Sequence, residues 1–217
     1  MDEDKPYVVE SLDNYLKTIE LALQRENPEM VNVKKPANKA FRNKSKSSFF
    51  VKNNQVMEDF FHDKVIEEQR SRRSKTYIMM SKEESKDWFA MFTLRLDSLD
   101  ISQLDVDSKR ELLLKGKSPE NINYIACPLI EEIGKNLAVE DNPVHLDEII
   151  KECIRIIYTV HQSVGGKLII LNSIDVPKVR QKYQEIGFQD FGEKFHSVND
   201  NKVYYQPMFL SLDKLYQ

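Results

Sequence analysis

The stretch from Leu146 to Phe188 constrains the fold of this chain more than any other. Leu146–Ser163 sets Ile149, Ile150, Cys153, Ile156, Ile157 and Val160 on one side at helical spacing. Gly165-Gly166 stops that helix. Lys167–Ile174 (KLIILNSI) is then continuously apolar, the pattern of a buried strand. Val176–Ile186 reads as a short helix with Pro177 in its first turn. Alternation of helices with such a strand implies an α/β chain, a mixed sheet covered by helices.

The remaining segments extend that pattern. Ser11–Asn27 predicts an amphipathic helix through Leu12, Tyr15, Leu16, Ile19 and Leu23, with Ser11 as N-cap. Residues 28–46 hold two prolines, many lysines and little apolar content, which predicts a linker or an extended arm. The expected division is therefore an N-terminal helix and basic linker over 1–46 and a main domain over 47–217. A second amphipathic helix is expected over 54–73. Strands are expected at Thr76–Met80 and Asp87–Leu96, where aromatic and β-branched residues concentrate and Trp88, Phe89 and Phe92 read as core. A helix from Asp107 to Lys115 ends at Gly116, and Asn123–Ile133 predicts a strand interrupted near Pro128. Phe188–Phe195 and Lys202–Leu212, turning at Asn199–Asn201, predict a closing hairpin.

Glycine is scarce, and that excludes several chemistries. The six glycines of the 217 residues never fall in a G-x-G spacing. Dinucleotide fingerprints, Walker A loops and kinase loops need glycine where backbone approaches phosphate, so none is present. No run approaches the ~20 apolar residues of a membrane span. The opening MDEDKPY lacks a basic-then-apolar leader. Cys127 and Cys153 lie apart in apolar runs and read as buried thiols, which points to a cytoplasmic, reducing environment. His62, His145, His161 and His196 have no metal-ligand spacing, so no metal site is expected. No Ser/His/Asp or Cys/His arrangement suggests covalent catalysis.

The net charge of −3 is unevenly spread. Residues 1–33 hold three basic and eight acidic residues, and residues 34–75 hold twelve and five. That basic segment is either a solvated linker and helix end or a patch for RNA or another partner.

The second half carries a resemblance. A buried strand leads into a short helix that ends in Tyr183-x-x-x-Gly187-Phe188, followed by a hairpin whose last strand reads YYQPMFLSL. This resembles the C-terminal half of the GNAT superfamily of N-acetyltransferases. The helix ending in a basic stretch, then TYIMM and DWFAMFTLRL, is similar to the subgroup that includes tRNA-acetylating toxins. The resemblance covers about residues 47–217. It implies acetyl-CoA as co-substrate, bound where the Asn123–Asn136 and Lys167–Ile174 strands splay, and direct attack by an amine. Tyr183 would be the general acid that protonates the leaving thiolate. Ile133, Gly134, Val144, His145, Leu146, Asp147 and Asn172 would contact the cofactor. The loop counterpart, NPVHLDEII, departs from the family's glycine-bearing pattern: it contains no glycine, and Asp141, Asp147 and Glu148 repel a pyrophosphate.

Glu131 and Glu132 offer a candidate base, but adjacent strand residues face opposite sides, so at most one faces a site. Two other functions remain open. A catalytically inactive GNAT-fold interaction protein would make Tyr183 structural. A nucleic-acid-binding module would act through residues 34–75.

Overall fold

The computed structural model describes residues 5–51, 54–113, 116, 118–197 and 202–214. Eight strands form a mixed sheet: β1 (Tyr7–Ser11), β2 (Lys75–Ser81), β3 (Trp88–Asp100), β4 (Tyr124–Lys135), β5 (Leu168–Ile174), β6 (Gln189–Asp190), β7 (Phe195–His196) and β8 (Tyr204–Ser211). The order is β1-β2-β3-β4-β5-β8-β6, with β7 also on β8. The expected α/β class with a mixed sheet is the one observed. The chain divides into two compact units, Met1–Thr93 with Glu132–His145, and Leu94–Glu131 with Leu146–Gln217.

In the first unit, β1 has no counterpart among the expected elements. It pairs antiparallel with β2 from Tyr7↔Ser81 to Ser11↔Tyr77. Helix α1 (Leu12–Glu26) comes directly after it, and Ser11 Oγ accepts the Asn14 N–H at 3.3 Å, the expected cap. The linker expected at 28–46 is instead largely helix α2 (Lys34–Ser48). Its inner face is Ala37, Asn38, Phe41 and Ser45, all buried, at the 3–4 residue spacing of one helix side. Pro36 lies in the first turn, where the missing N–H breaks no helical bond. The 46/47 boundary thus falls inside a helix. The second expected helix is α3 (Gln55–Asp59), a π-helical turn at Phe60–Lys64 and α4 (Val65–Arg70). Leu12, Leu16, Phe41, Phe49, Phe61, Val65, Ile78, Trp88 and Met91 make one buried cluster. The Trp88 ring centroid is 5.2 Å from that of Phe41, and Lys44 Nζ lies 5.1 Å above the Trp88 ring.

In the second unit, α5 (Val106–Leu112) begins at Asp105, whose carboxylate accepts the N–H groups of Asp107 and Ser108. The expected end at Lys115 and the turn at Asn199–Asn201 lie outside the described residues. Strand β4 is continuous through Pro128, contrary to expectation. Its parallel ladder to β5 consists of Leu129↔Ile170 and Ile130↔Leu171, which begins just after the proline, so the missing N–H costs no bond in that ladder. Strand β5 then pairs antiparallel with β8 along its whole length, from Leu168↔Ser211 to Ile174↔Tyr205. Helices α6 (Leu146–Val164) and α7 (Pro177–Ile186) flank β5 in the chain, one on each side. A second cluster holds Leu99, Ile101, Leu112, Cys127, Leu129, Leu168 and Ile170. Both cysteines are buried free thiols. Among the described residues, no helix is long and apolar enough to cross a membrane. Nor does any group of three or more His, Cys, Asp or Glu residues suit a metal.

Candidate functional site

Tyr183 sits in the second half of α7, and the glycine cap that ends this helix fixes its place. Gly187 closes the helix with φ 111°, its N–H reaching the Gln184 carbonyl at 2.9 Å, and the Phe188 N–H reaches the Tyr183 carbonyl at 3.0 Å. That left-handed cap lets the chain reverse and bury Phe188, whose ring meets the Tyr183 ring edge-on at 6.1 Å. Tyr183 is itself buried. Burial pushes its phenol well above the ordinary value, and the neighbouring Cys153 thiol adds to the shift. Among the described residues its hydroxyl makes no hydrogen bond, so the proton is held and undirected.

The loop after β4 closes without glycine because two buried amides shape it. Asn136 Nδ2 donates to the Ser48 and Trp88 carbonyls at 2.6 and 2.7 Å, while Oδ1 accepts the Phe50 and Ala138 N–H groups at 3.0 and 2.9 Å. Asn142 Nδ2 donates to the Phe89 and Asn136 carbonyls at 2.7 and 2.8 Å. Its Oδ1 accepts the Val144 N–H at 3.0 Å. Fully paired buried amides fix a loop as firmly as regular structure does. Val144 is buried and His145 is exposed at the loop's end. Upstream, Ile133 is half-buried, and Gly134 is a packing glycine: a Cβ there would lie 2.9 Å from Phe61 Cε2 and 3.1 Å from Phe49 Cζ.

On α6, Leu146 is half-buried and Asp147 exposed. Slight burial raises the Asp147 carboxyl, but the hydrogen bond and charge of Lys151, 3.2 Å away, outweigh it and hold the group below its ordinary value. Asn172 is exposed on β5 beside a cavity of about 300 Å³, which it lines with Asp97, Asp100, Ile170, Glu193 and Pro207. The ladder to β4 ends one residue earlier, at Leu171. Glu131 pairs with Arg95 at 3.3 Å, and the Glu132 N–H donates to Thr93 Oγ1 at 3.1 Å.

A larger groove, about 670 Å³, lies between α6 and α7 and is not legible in the sequence. Its walls include Lys151, Ile154, Arg155, Tyr158, Lys182 and Ile186. Arg155 Nε donates at 2.7 Å to Glu152, whose side chain is only 3% exposed. The i, i+3 spacing of that pair is the only available signal, and it does not say that the carboxylate is buried.

No protein-family model and no curated protein matches the sequence. Solved structures do. "AtaT complexed with acetyl-methionyl-tRNAfMet" aligns with TM-score 0.58 and 12% identity, over 77% of this chain and 87% of that one. A Tyr→Phe mutant of KacT aligns with TM-score 0.58 and 10% identity, over 77% and 87%. AtaTR bound with AcCoA aligns with TM-score 0.57 and 10% identity, over 97% and 96%. This chain has the GNAT fold. The fold holds β4, α6, β5 and α7 in that chain order. Strand β1, upstream of residue 47, belongs to the same sheet.

Proposed function

We propose that the chain is an acetyl-CoA-dependent N-acetyltransferase that modifies an amine. The observation that carries this reading is the Tyr183 element. A protonated phenol is buried at the end of α7, behind a glycine cap, on a fold shared with a structure bound to AcCoA. The residues assigned to the co-substrate in this reading are the following. The β4–β5 ladder stops at Leu171 and leaves Asn172 for the pantetheine amides. Asn136 and Asn142 hold the glycine-free loop, in which Val144 is buried and His145 exposed, ahead of Leu146 and Asp147. Ile133 and Gly134 complete the β4 contribution. Acetyl-CoA supplies an activated thioester. Tyr183 holds its proton at Oη for the departing sulfur, and its raised pKa makes it a hydrogen-bond donor at every physiological pH.

Calorimetric titration of the full chain with acetyl-CoA, CoA and desulfo-CoA tests this. Saturable micromolar binding is expected, with turnover lost and binding kept in Tyr183→Phe. Absence of binding at millimolar concentration by folded protein overturns it.

The acceptor is the second question. Helix α2 carries Lys34, Lys35, Lys39, Arg42, Lys44 and Lys46 and no carboxylate, and AtaT is seen with acetyl-methionyl-tRNAfMet. An RNA-linked amine is the acceptor class these favour. The carboxylate of Asp147, at the start of α6, favours the competing reading of an interaction protein without turnover.

A further inference from the structure

We infer that Arg180 is a positioning residue for the proposed transfer: its guanidinium ties α7 to Asp175 and Asp190, and so fixes where the Tyr183 hydroxyl stands. The inference rests on the proposed role of Tyr183 as proton donor. Arg180 Nη1 donates to Asp175 Oδ1 at 3.2 Å, and Nη2 donates to the Asp190 carboxylate. Asp175 directly follows β5 and Asp190 lies on β6, the strands on either side of β8. Both acidic residues are themselves held. The Asp175 N–H donates to the Tyr204 carbonyl at 2.8 Å, and Lys194 Nζ takes its second carboxylate oxygen at 2.6 Å. Asp190 sits in register with Met208 of β8. The three side chains of the clamp are between 24% and 35% exposed, so salt and water screen it less than a surface pair.

Helix α7 has little else to hold it in register. Val176 supplies no side-chain cap, and the first turn carries no acidic residue. A cation at the fourth residue of a helix opposes the macrodipole, so Arg180 does not serve the helix itself. Among the described residues it is the only α7 side chain with a hydrogen bond or ion pair to another element; Gln181 bonds Glu185 within the helix. Arg180 Nε is shielded from solvent without a partner, which leaves the two terminal amino groups to carry the whole hold. Tyr183 follows three residues later, about 4.5 Å along the axis and about 60° around it. Its edge-on contact with Phe188 is apolar. Apolar burial is non-directional and lets a short helix slide or roll, whereas a fork spanning two fixed carboxylates has one geometry. A proton donor has to stand within about 3 Å of its acceptor, so a shift of about 1 Å is felt in the rate.

Rates of acetyl transfer from acetyl-CoA to bulk aminoacyl-tRNA, the acceptor probe, test the inference on the full chain. Arg180→Ala should lower kcat about 10–100-fold and leave the KM for acetyl-CoA within about twofold. In a Tyr183→Phe background the same substitution should cost no further rate, because Arg180 acts through Tyr183. Arg180→Lys keeps the charge without the fork; it should hold the thermal midpoint and still lose rate, which separates position from stability. Equal losses in the two backgrounds, or an unchanged kcat in Arg180→Ala, overturn the inference while the transferase reading stands. A second measurement needs no turnover. In chains labelled with 3-fluorotyrosine, the Tyr183 fluorine signal is assigned by its loss in Tyr183→Phe. It should shift, and titrate at lower pH, in Arg180→Ala; a signal that stays in place overturns the clamp alone. Folded wild type that binds no acetyl-CoA overturns the acetyltransferase reading, and the positioning role with it.

Discussion

Tyr183 and Gly187 are separated by one turn of helix and do different physical jobs. Tyr183 keeps its proton because burial and the Cys153 thiol both disfavour the phenolate. In the proposed transfer, a donor of that kind would stabilise sulfur charge as it develops. Removing it in Tyr183→Phe should lower kcat by about 10²–10⁴-fold with little change in CoA affinity, read from steady-state rates beside calorimetry. Gly187 is needed for its backbone. At φ 111° an alanine costs about 1–2 kcal/mol, and its Cβ would meet Leu210 Cδ1 at 3.3 Å. Gly187→Ala should therefore lower the thermal midpoint by several degrees. An unchanged midpoint would mean the helix end relaxes freely. The Tyr183-x-x-x-Gly187-Phe188 element is legible in the sequence because its meaning lies in local spacing. Asn136 and Asn142 are not, because their value depends on carbonyls of Ser48, Trp88 and Phe89, roughly 45–90 residues away in the chain.

Helices show the same divide between local and distant information. Helix α6 is legible from end to end because a wide apolar stripe has only one solution. Helix α2 resembles a linker in sequence because its lysines and Pro36 outweigh a thin signal, Ala37, Phe41 and Ser45 spaced by four. Its folding depends on the Phe41 ring finding Trp88 and Tyr15, which composition does not reveal. Strand β1 is five residues long and gains its identity from β2, some 65–75 residues later. At the end of α6, His161 is buried with Nδ1 unpartnered, and Gly166 lies so close that an added Cβ would be 2.9 Å from Nε2. Burial lowers the His161 pKa below 6.5, so the unfolded chain binds the proton more readily than the folded one. This contribution is complete above pH 6.5 and is lost as pH falls from there toward the depressed value. Thermal unfolding between pH 7.5 and 5 should show wild type losing stability faster than His161→Phe. Parallel curves would mean that water reaches the ring.

For the molecule as a whole, the decisive contrast is between a net charge of −3 and a helix with six cations and no carboxylate. At 100° per residue, Lys35, Lys39, Arg42 and Lys46 lie within about 60° of one another along about 16 Å of α2. All four are exposed. Asp63 tempers one end, pairing with Lys46 at 2.7 Å and taking Arg42 on its carbonyl at 3.4 Å. The other end keeps its charge. A stripe of this length spans two or three phosphates of an RNA strand, and neutralising phosphates releases counterions. If the acceptor amine is carried on RNA, binding of an RNA hairpin to the full chain should weaken steeply with salt. Replacing Lys35, Lys39 and Arg42 together by alanine should flatten the log–log salt slope by about 2, since each contact contributes roughly 0.7–0.9. CoA binding should be unaffected, because Lys35, Lys39 and Arg42 are exposed and none of them is assigned to the cofactor. A slope that stays the same would take α2 out of acceptor recognition and leave its charge as a solvated helix face.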